Sequence, residues 1–509
     1  MEDIKNSLNQ VAKGAGILLI GIILSKIINY LYRAYTARAL SVSDFGLLNL
    51  GIALITFIVA VSTIGLESGL NRYIPHYRGL EDKKSIRAVI YFSTKFTLLI
   101  SILMAIGIYF FSDKISILFE NSKSFSSLLK ILSISIPFTV VGTRICLNCL
   151  LYLKYIKEYS FIFNILQHLS RFLLTVLLLS FGFGLFGVGL AYSLSAIVIG
   201  IVAIYSFNSK NKIQRERFIA KREFLKYSTP LFLVTIVSYT FGWIDSFMIG
   251  YLLDNYNVGI YNAAFLVSQL LLLFPSIIFP LSLPIIGPYF ARNEKKTVII
   301  VSKQMAKWVL AFSFFVLLTL LAFPGTIIRI IFGQKYFPAI PALSILAVGF
   351  FISLLVPLFM VFLSLHKDTK LILFNSLITL IINIILNLVL IPKYGITGAA
   401  IATAISQIIL VSLVIIENYK LYQINLFSFN LIKIALAIIV PTIVIFSFKI
   451  ILGQNIPILS IIILISLIIY LIFLLKLKVI DNSDKEIVRD FIKKVNIKVP
   501  NFIFKLIEK

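Results

Sequence analysis

The chain is built of long apolar blocks, separated by short polar segments along its 509 residues. Each block is long enough for one bilayer crossing, because about 30 Å of hydrocarbon takes roughly 20 helical residues. The alternating ten-residue strands of an outer-membrane barrel are absent from the sequence. Hydrophobic residues make up 60% and charged residues 13%, against about 45–50% and about 25% in soluble domains. The sequence therefore predicts an all-α polytopic membrane protein.

About fourteen apolar blocks are candidate transmembrane helices, with boundaries placed to within a few residues. An even number of spans puts both ends of the chain on one side of the membrane. The polar start from Met1 to Lys13 is followed by no small-residue cleavage site, so the first block is expected to be a retained span. The predicted spans are 15–40, 45–66, 88–111, 128–153, 159–181, 184–207, 227–252, 259–290, 304–324, 339–365, 371–391, 395–416, 434–452 and 457–475.

Basic residues are concentrated in alternate connections, and they account for the formal net charge of +26. Even-numbered connections are rich in Lys and Arg, above all within 72–87 and 210–226. The positive-inside rule then places both termini in the cytoplasm of a multi-pass plasma (inner) membrane protein. A nucleic-acid partner is not expected, because the loops explain the charge. The few basic residues of the odd-numbered connections are Arg38, Lys114, Lys123, Arg329, Lys335 and Lys393.

Short motifs recur at a separation of 211–213 residues, which indicates an internal duplication. Each copy holds six spans, so both enter the membrane from the same side as parallel repeats about an axis along the membrane normal. The predicted domains are an N-terminal six-helix lobe (1–210), a C-terminal six-helix lobe (211–420), two extra helices (421–480) and a basic cytoplasmic tail (481–509). Matching pairs are Asp44-Phe45-Gly46 with Asn257-Val258-Gly259, Asn49 with Asn262, Pro75 with Pro288, and Gly184 and Gly187 with Gly395 and Gly398.

The tail has apolar residues on one helical face, at Ile487, Phe491 and Val495 among others. Such a basic amphipathic segment is expected to lie on the anionic inner leaflet. A solvated helix is the alternative interpretation.

Polar and basic residues interrupt several spans at helical spacing. An Arg or Lys at mid-span costs roughly 2.5–3.5 kcal/mol on insertion scales, so those that persist usually face water. In the first half, basic groups recur on the first, fourth and fifth spans, where an Arg-lined cavity would attract an anion, above all a phosphate. The predicted substrate-binding residues are Lys26, Asn29, Arg33, Arg144, His168 and Arg171.

The predicted spans of the second half have polar residues along one helix face, but they lack the mid-span basic residues of the first half. Asp245 is the clearest deep acid of the second half, with Asn383 and Asn387 on the eleventh span. We expect Asp245 to act in coupling or gating, through Na⁺ or H⁺. Alternatives stay open at this point: Arg33 and Asp245 neutralise each other, Lys26 reaches the interface with its long side chain, or His168 is a packed core histidine.

Enzyme chemistry finds little support in the motifs. Gly182 to Gly187 fits GxGxxG, but it lies in a short turn between spans without a preceding strand, and no P-loop follows. Cys146 and Cys149 lie in an apolar helix without further metal-binding partners, so packed thiols are expected. No catalytic residue, metal site or cofactor is predicted.

Longer motifs carry a family resemblance that covers almost the whole chain. With its spans ordered six, six and two, the chain resembles the polysaccharide-unit (lipid-linked oligosaccharide) flippases of the multidrug/oligosaccharidyl-lipid/polysaccharide exporter superfamily. The motifs are Tyr35-Thr36-Ala37-Arg38-Ala39-Leu40, Asp44-Phe45-Gly46, Gly65-Leu66-Glu67-Ser68-Gly69-Leu70-Asn71-Arg72-Tyr73-Ile74-Pro75 and Pro392-Lys393-Tyr394-Gly395-Ile396-Thr397-Gly398-Ala399-Ala400.

The resemblance implies movement of an anionic oligosaccharide on a polyprenyl phosphate or pyrophosphate from the inner to the outer leaflet, for cell-surface polysaccharide or glycan assembly. It implies alternating access, with membrane lipids and glycan-assembly enzymes as further partners. Essential cavity arginines are a family property, carried here to Arg33, Arg144 and Arg171, positions chosen by periodicity.

Two other functions remain as alternatives. A multidrug or organic-cation antiporter of the same superfamily would depend on Asp245. A membrane glycosyltransferase or glycan polymerase would need acidic or metal-binding residues in sizeable exterior loops. Asp44 stands there without an acidic neighbour, and the exterior loops are short.

Overall fold

A computed structural model describes residues 2–120, 122–211, 216, 218, 220–366, 368–452 and 456–479. The predicted tail at 481–509 lies outside the described residues. Within them, the regular secondary structure is helical throughout, with π-helical segments at Thr139–Leu147 and Phe161–Leu166 and 3₁₀ segments at Gln269–Leu272, Gln334–Ala339 and Ser353–Leu355.

The described residues form twenty-one α-helical segments in chain order. They are α1 (Glu2–Ala39), α2 (Val42–Thr63), α3 (Leu66–Gly79), α4 (Lys83–Ile117), α5 (Lys123–Ser133), α6 (Ser135–Phe138), α7 (Asn148–Tyr152), α8 (Ile156–Ser160), α9 (Gln167–Ser180), α10 (Gly184–Lys210), α11 (Lys221–Leu252), α12 (Asn255–Ser268), α13 (Leu273–Ala291), α14 (Lys295–Ala322), α15 (Pro324–Ile331), α16 (Ile340–Ile352), α17 (Val356–Leu365), α18 (Thr369–Tyr422), α19 (Phe429–Ala437), α20 (Ile439–Leu452) and α21 (Ile456–Lys476).

Eleven helices in the described part of the chain are long and apolar enough to cross a membrane. One of them, α18, has 54 residues and is broken at Gly395 (φ 58°, ψ −140°), between two predicted spans. The prediction of an all-α polytopic membrane protein is confirmed. The number of fourteen spans is not confirmed and stays a prediction.

The described helices divide into two compact units, each defined by the contacts among its own residues. Unit 1 comprises the described residues within Met1–Val267, Ile328–Leu346 and Asp368–Leu410, and unit 2 comprises those within Ser268–Ile327, Ala347–Lys367 and Val411–Lys509. The predicted lobe boundaries at 210 and 420 stay a prediction.

An apolar cluster in unit 1 joins α3, α4, α10 and the segment around Cys146. Leu70, Ile145 and Phe224 are fully buried in it. Cys146 and Cys149 are buried in the same cluster as free thiols. They serve packing there, as their apolar helix predicts.

Unit 2 has its own apolar cluster, formed by α14, α19, α20 and α21. The rings of Phe315 and Tyr470 stack with centroids 5.7 Å apart. The Tyr470 hydroxyl donates to the Ala311 carbonyl at 2.8 Å, which satisfies its polar end within the apolar surroundings.

The repeated glycines form a reciprocal contact between α2 and α12 in unit 1. A Cβ on Gly46 would lie 1.9 Å from the carbonyl oxygen of Asn255, and one on Gly259 would lie 2.2 Å from that of Val42. Gly46 and Gly259 are separated by 213 residues, and so are Val42 and Asn255. Two copies of one motif related by a two-fold axis make such a contact. Because the glycine in each copy has no side chain, the two backbones can approach closely.

At the predicted exterior end of unit 1, side chains donate hydrogen bonds to backbone carbonyls of neighbouring segments. The Arg38 guanidinium donates to the carbonyls of Arg329, Ile330 and Ile331, the last residues of α15. In return, Lys335 donates to carbonyls at the end of α1, and the Tyr336 hydroxyl donates to the Ala37 carbonyl at 3.0 Å. Cations suit helix C-termini, whose last carbonyls lack helical partners.

Replacing Gly46 by Ala is expected to lower the melting temperature of the purified protein. The added Cβ would overlap the Asn255 carbonyl, and overpacking costs typically about 1–3 kcal/mol. Gly259→Ala should act alike, because the contact is reciprocal. Gly107→Ala in α4 is the matched control, since its Cβ would meet no other described residue within 4 Å. Equal melting temperatures for Gly46→Ala and Gly107→Ala would contradict the close approach.

Candidate functional site

The three predicted arginines come from three parts of unit 1. Arg33 lies on α1, Arg144 lies in the π-helical segment Thr139–Leu147, and Arg171 lies on α9, which follows the second π-helical segment. All three side chains are half-buried. Such π-helical turns are frequent at functional sites, because they re-aim side chains within a helix.

Tyr192 of α10 lies near all three arginines. The Arg171 guanidinium carbon lies 4.2 Å from the centroid of the Tyr192 ring, within cation–π range. Arg33 and Arg144 are near enough to Tyr192 to interact with it electrostatically. The sequence prediction missed Tyr192, one of two tyrosines in an apolar span, because nothing in the chain indicates which helices it contacts.

Arg33 and Arg171 keep hydrogen-bonding capacity. Arg33 Nη1 donates to the Asn49 amide oxygen, while the buried Nε atoms of both arginines have no hydrogen-bond partner among the described residues. Within that part of the chain, neither arginine has an acidic partner within 4 Å. The two guanidinium charges also repel each other. An unpaired buried donor is costly, so these atoms are suited to an anionic ligand.

Arg144 differs from them, because it has an acidic partner. Its Nη1 lies 3.8 Å from Glu67 Oε1, and its Nη2 donates to the Tyr239 hydroxyl at 2.7 Å. Asn148 donates to the same Glu67 oxygen at 2.7 Å. The side chains of Arg144 and Glu67 remain 27% and 30% exposed. Glu67 stands in a motif that carries the family resemblance, but its pairing with Arg144 was not predicted.

The remaining predicted residues extend the cluster along α1 and α9. Lys26 is exposed, and Asn29 is half-buried between Lys26 and Arg33. His168 is half-buried, one turn before Arg171, and it is near enough to Arg171 and Lys26 for their charges to act on it. The structure therefore brings the basic residues of α1 and α9 together, while their roles stay predictions.

Asp245 lies in a separate polar network of α11, α12 and α18. It is only 6% exposed, and its Oδ2 accepts hydrogen bonds from the hydroxyls of Tyr261 and Thr403, each at 2.5 Å. Asn387 donates to Oδ1 at 2.7 Å and to the Asn383 amide oxygen at 3.0 Å. No basic side chain lies within 4 Å of Asp245 among the described residues, so hydroxyls and amides, not Arg33, surround the acid there.

These helices define a polytopic membrane protein with a transporter fold. The fold is similar to that of a lipid II flippase, MurJ, in its inward closed conformation, with a TM-score of 0.74 and 21% sequence identity. The similarity covers 90% of this chain and 97% of the other.

The family follows from the sequence match. Residues 11–294, more than half of the chain, match the polysaccharide biosynthesis protein family, and the chain belongs to that family. The resemblance drawn from the motifs around Asp44 and Glu67 is confirmed.

Two archaeal relatives are similar to the chain. A probable low-salt glycan biosynthesis flippase, Agl15, of Haloferax volcanii is 27% identical over 226 residues, which are 44% of this chain and 47% of the relative. The chain thus spans about half the length of this relative. An uncharacterized membrane protein of Methanocaldococcus jannaschii is 23% identical over 432 residues, covering 79% of this chain and 82% of the relative.

Replacing Thr403 by Val is expected to lower the melting temperature, because it removes a hydroxyl that donates to Asp245. Hydrogen bonds to charged groups are worth about 1.5–3 kcal/mol. The penalty should shrink when Asp245 is already Asn, which a double-mutant cycle measures.

Thr379→Val is the matched control for this cycle. Thr379 is equally buried on α18 but donates to the Asn375 backbone carbonyl. Strict additivity of Thr403→Val and Asp245→Asn would contradict the network.

Proposed function

We propose that this protein is a flippase that moves an anionic lipid-linked oligosaccharide across the plasma membrane for cell-surface glycan assembly. The observation that carries the proposal is the pair Arg33 and Arg171, two arginines without acidic partners among the described residues. Charges inside apolar helices usually mark a substrate pathway. The family and the flippase names of its relatives support a transport role in glycan biosynthesis.

The phosphate or pyrophosphate of the carrier lipid is the group that the arginines would bind. A guanidinium presents a planar fork of donors, which suits phosphate oxygens. Arg33 and Arg171 would supply this contact, with Lys26, Asn29 and His168 beside them. Arg144 is held by Glu67 and Tyr239, so it would contribute less net charge. An organic-cation antiporter would instead need acidic groups in this place.

Alternating access is the proposed mechanism, with the lobes 1–210 and 211–420 as its moving parts. With both termini in the cytoplasm, the basic connections face the inner side. The negative interior of the cell then favours outward movement of an anion, by about 2.3 kcal/mol per charge per 100 mV.

An apolar cavity in unit 2 suits the hydrocarbon chain of a membrane lipid. It has a volume of about 320 Å³ and lies between α14 and α21. Aromatic and aliphatic side chains dominate its lining, which includes Phe274, Trp308, Phe312, Phe315, Leu471 and Leu474.

Asp245 is the proposed site of Na⁺ or H⁺ coupling. Carboxylate, hydroxyl and amide oxygens are ligands that hard cations prefer, and Asp245, Thr403 and Asn383 offer them side by side. The buried amide oxygen of Asn387 has no hydrogen-bond partner in the described part of the chain. Such a spare acceptor fits a bound cation or a proton on Asp245.

Replacing Arg33 or Arg171 by Gln is expected to slow flipping of a lipid-linked oligosaccharide pyrophosphate in proteoliposomes by roughly 10–100-fold. Each change removes charge-assisted hydrogen bonds worth about 1.5–3 kcal/mol. Arg144→Gln should also slow flipping, and Glu67→Gln should partly restore it, because the second change removes the acid left unpaired.

Arg292→Gln is the control for loss of one charge, since its side chain is 69% exposed on a loop. The folding of each purified variant is checked by size-exclusion chromatography in detergent. Wild-type rates for both the Arg33 and the Arg171 variant would refute the proposed binding site.

Replacing Asp245 by Asn is expected to abolish the dependence of flipping on an imposed Na⁺ or pH gradient, while gradient-independent flipping remains. Asn cannot change its charge on binding a proton or cation. Asp113→Asn is the matched control, because Asp113 is an exposed acid paired with Lys130. The measurement is the initial flipping rate with and without each gradient, and gradient acceleration that survives in Asp245→Asn would disprove coupling at this site.

A further inference from the structure

A second basic site lies in unit 1 apart from the arginine cluster. It is a pocket of about 540 Å³ between α3, the start of α4, the end of α10 and the turn after α7. Neither Arg33, Arg144 nor Arg171 lines it. Its polar lining has four basic side chains, Arg78, Lys83, Arg87 and Lys210, together with Tyr155 and Asn211. Its apolar part consists of Ile86, Ile90, Leu153 and Phe207.

The charges around this pocket do not cancel. Lys210 Nζ lies 3.5 Å from Glu158 Oε1, and this pair offsets the charge of Lys210, whereas Arg78 and Lys83 have no acid within 4 Å among the described residues. The described residues that line the pocket include no acid. Asp82, just before α4, accepts a hydrogen bond from the Ser85 amide at 2.9 Å and caps the helix. The pocket therefore keeps a net positive potential.

Two lining residues are held in place by neighbouring groups. Arg78 Nη1 donates to the Tyr152 carbonyl at 2.7 Å, which fixes the guanidinium at the pocket. Lys210 lies over the Tyr155 ring, with its Nζ 5.7 Å from the centroid. Lys83 and Arg87 share one face of α4 with Ile86 and Ile90, at spacings of three, four and seven residues. One helix face thus supplies both the basic and the apolar lining.

We propose that this pocket binds the phosphate headgroup of an anionic membrane lipid. Its residues belong to connections that the charge asymmetry places on the cytoplasmic side, and basic pockets between helices on that side suit anionic lipid headgroups. The four cations contact the phosphate, and Ile86, Ile90, Leu153 and Phe207 contact the first carbons of the lipid chains. A free phosphate would leave this apolar part uncovered.

The test measures binding of dioctanoyl phosphatidic acid to the full-length protein in an uncharged maltoside detergent. Dioctanoylglycerol and inorganic phosphate are the comparison ligands. The expected order of affinity is phosphatidic acid first, with both comparison ligands at least tenfold weaker. Lys83→Gln with Arg87→Gln should weaken phosphatidic acid binding roughly thirtyfold, since each surface cation contributes about 1 kcal/mol.

Lys84→Gln with Lys157→Gln is the matched control, because it removes the same charge from exposed cytoplasmic positions outside the lining. It should change the affinity less than threefold. Lys83→Gln with Lys210→Gln is a second lining pair, in case the Arg87 change impairs folding. Equal affinity for phosphatidic acid and dioctanoylglycerol, or equal losses in lining and control variants, would overturn the proposal. Inorganic phosphate binding as tightly as phosphatidic acid would overturn the lipid assignment and indicate a soluble anion.

Discussion

Arginines within apolar helices that have no acidic partner among the described residues are the feature on which the anion-binding chemistry of unit 1 depends. Arg171 lies over the ring of Tyr192, the charges of Arg33 and Arg171 repel each other, and neither arginine has an acid within 4 Å among the described residues. Each mid-span cation costs roughly 2.5–3.5 kcal/mol on insertion scales. An anionic headgroup would offset this cost only while it is bound. The arrangement therefore favours transient binding of a negative group over static packing.

The polar groups of unit 1 fall into chemically distinct sets. The arginines suit an anion, whereas Asp245 lies among hydroxyls and amides that suit a cation or a proton. At the predicted exterior end, Gly46 and Gly259 bring two backbones together, and Arg38 and Lys335 bind carbonyls. The buried rings of Phe45, Phe332 and Tyr336 pack together at the same end, with ring centroids 5.5–6.3 Å apart. Separation of this exterior end would therefore expose large aromatic side chains and break the hydrogen bonds of Arg38 and Lys335.

Sequence patterns predicted the membrane fold, the repeated motif and the arginine-bearing helices, because periodicity is local information. They also placed Asp245 and Asn387 on polar stripes of separate spans. They could not show that Asn387 and Thr403 donate to Asp245, since these residues are 142 and 158 positions from it in the chain. Glu67 and Tyr192 were missed for the same reason. The repeat was visible in the glycines, but their mutual contact required coordinates.

The most direct test is equilibrium binding of a polyprenyl pyrophosphate and of the polyprenol of equal length. The protein should carry Lys83→Gln and Arg87→Gln, so that the second basic pocket contributes little. An arginine site for phosphate predicts roughly hundredfold tighter binding of the pyrophosphate, from about 3 kcal/mol of charge-assisted hydrogen bonds. It also predicts that Arg33→Gln with Arg171→Gln removes this preference. Equal affinities for the two lipids, or a preference that survives in that variant, would show that Arg33 and Arg171 do not bind the phosphate of the carrier lipid.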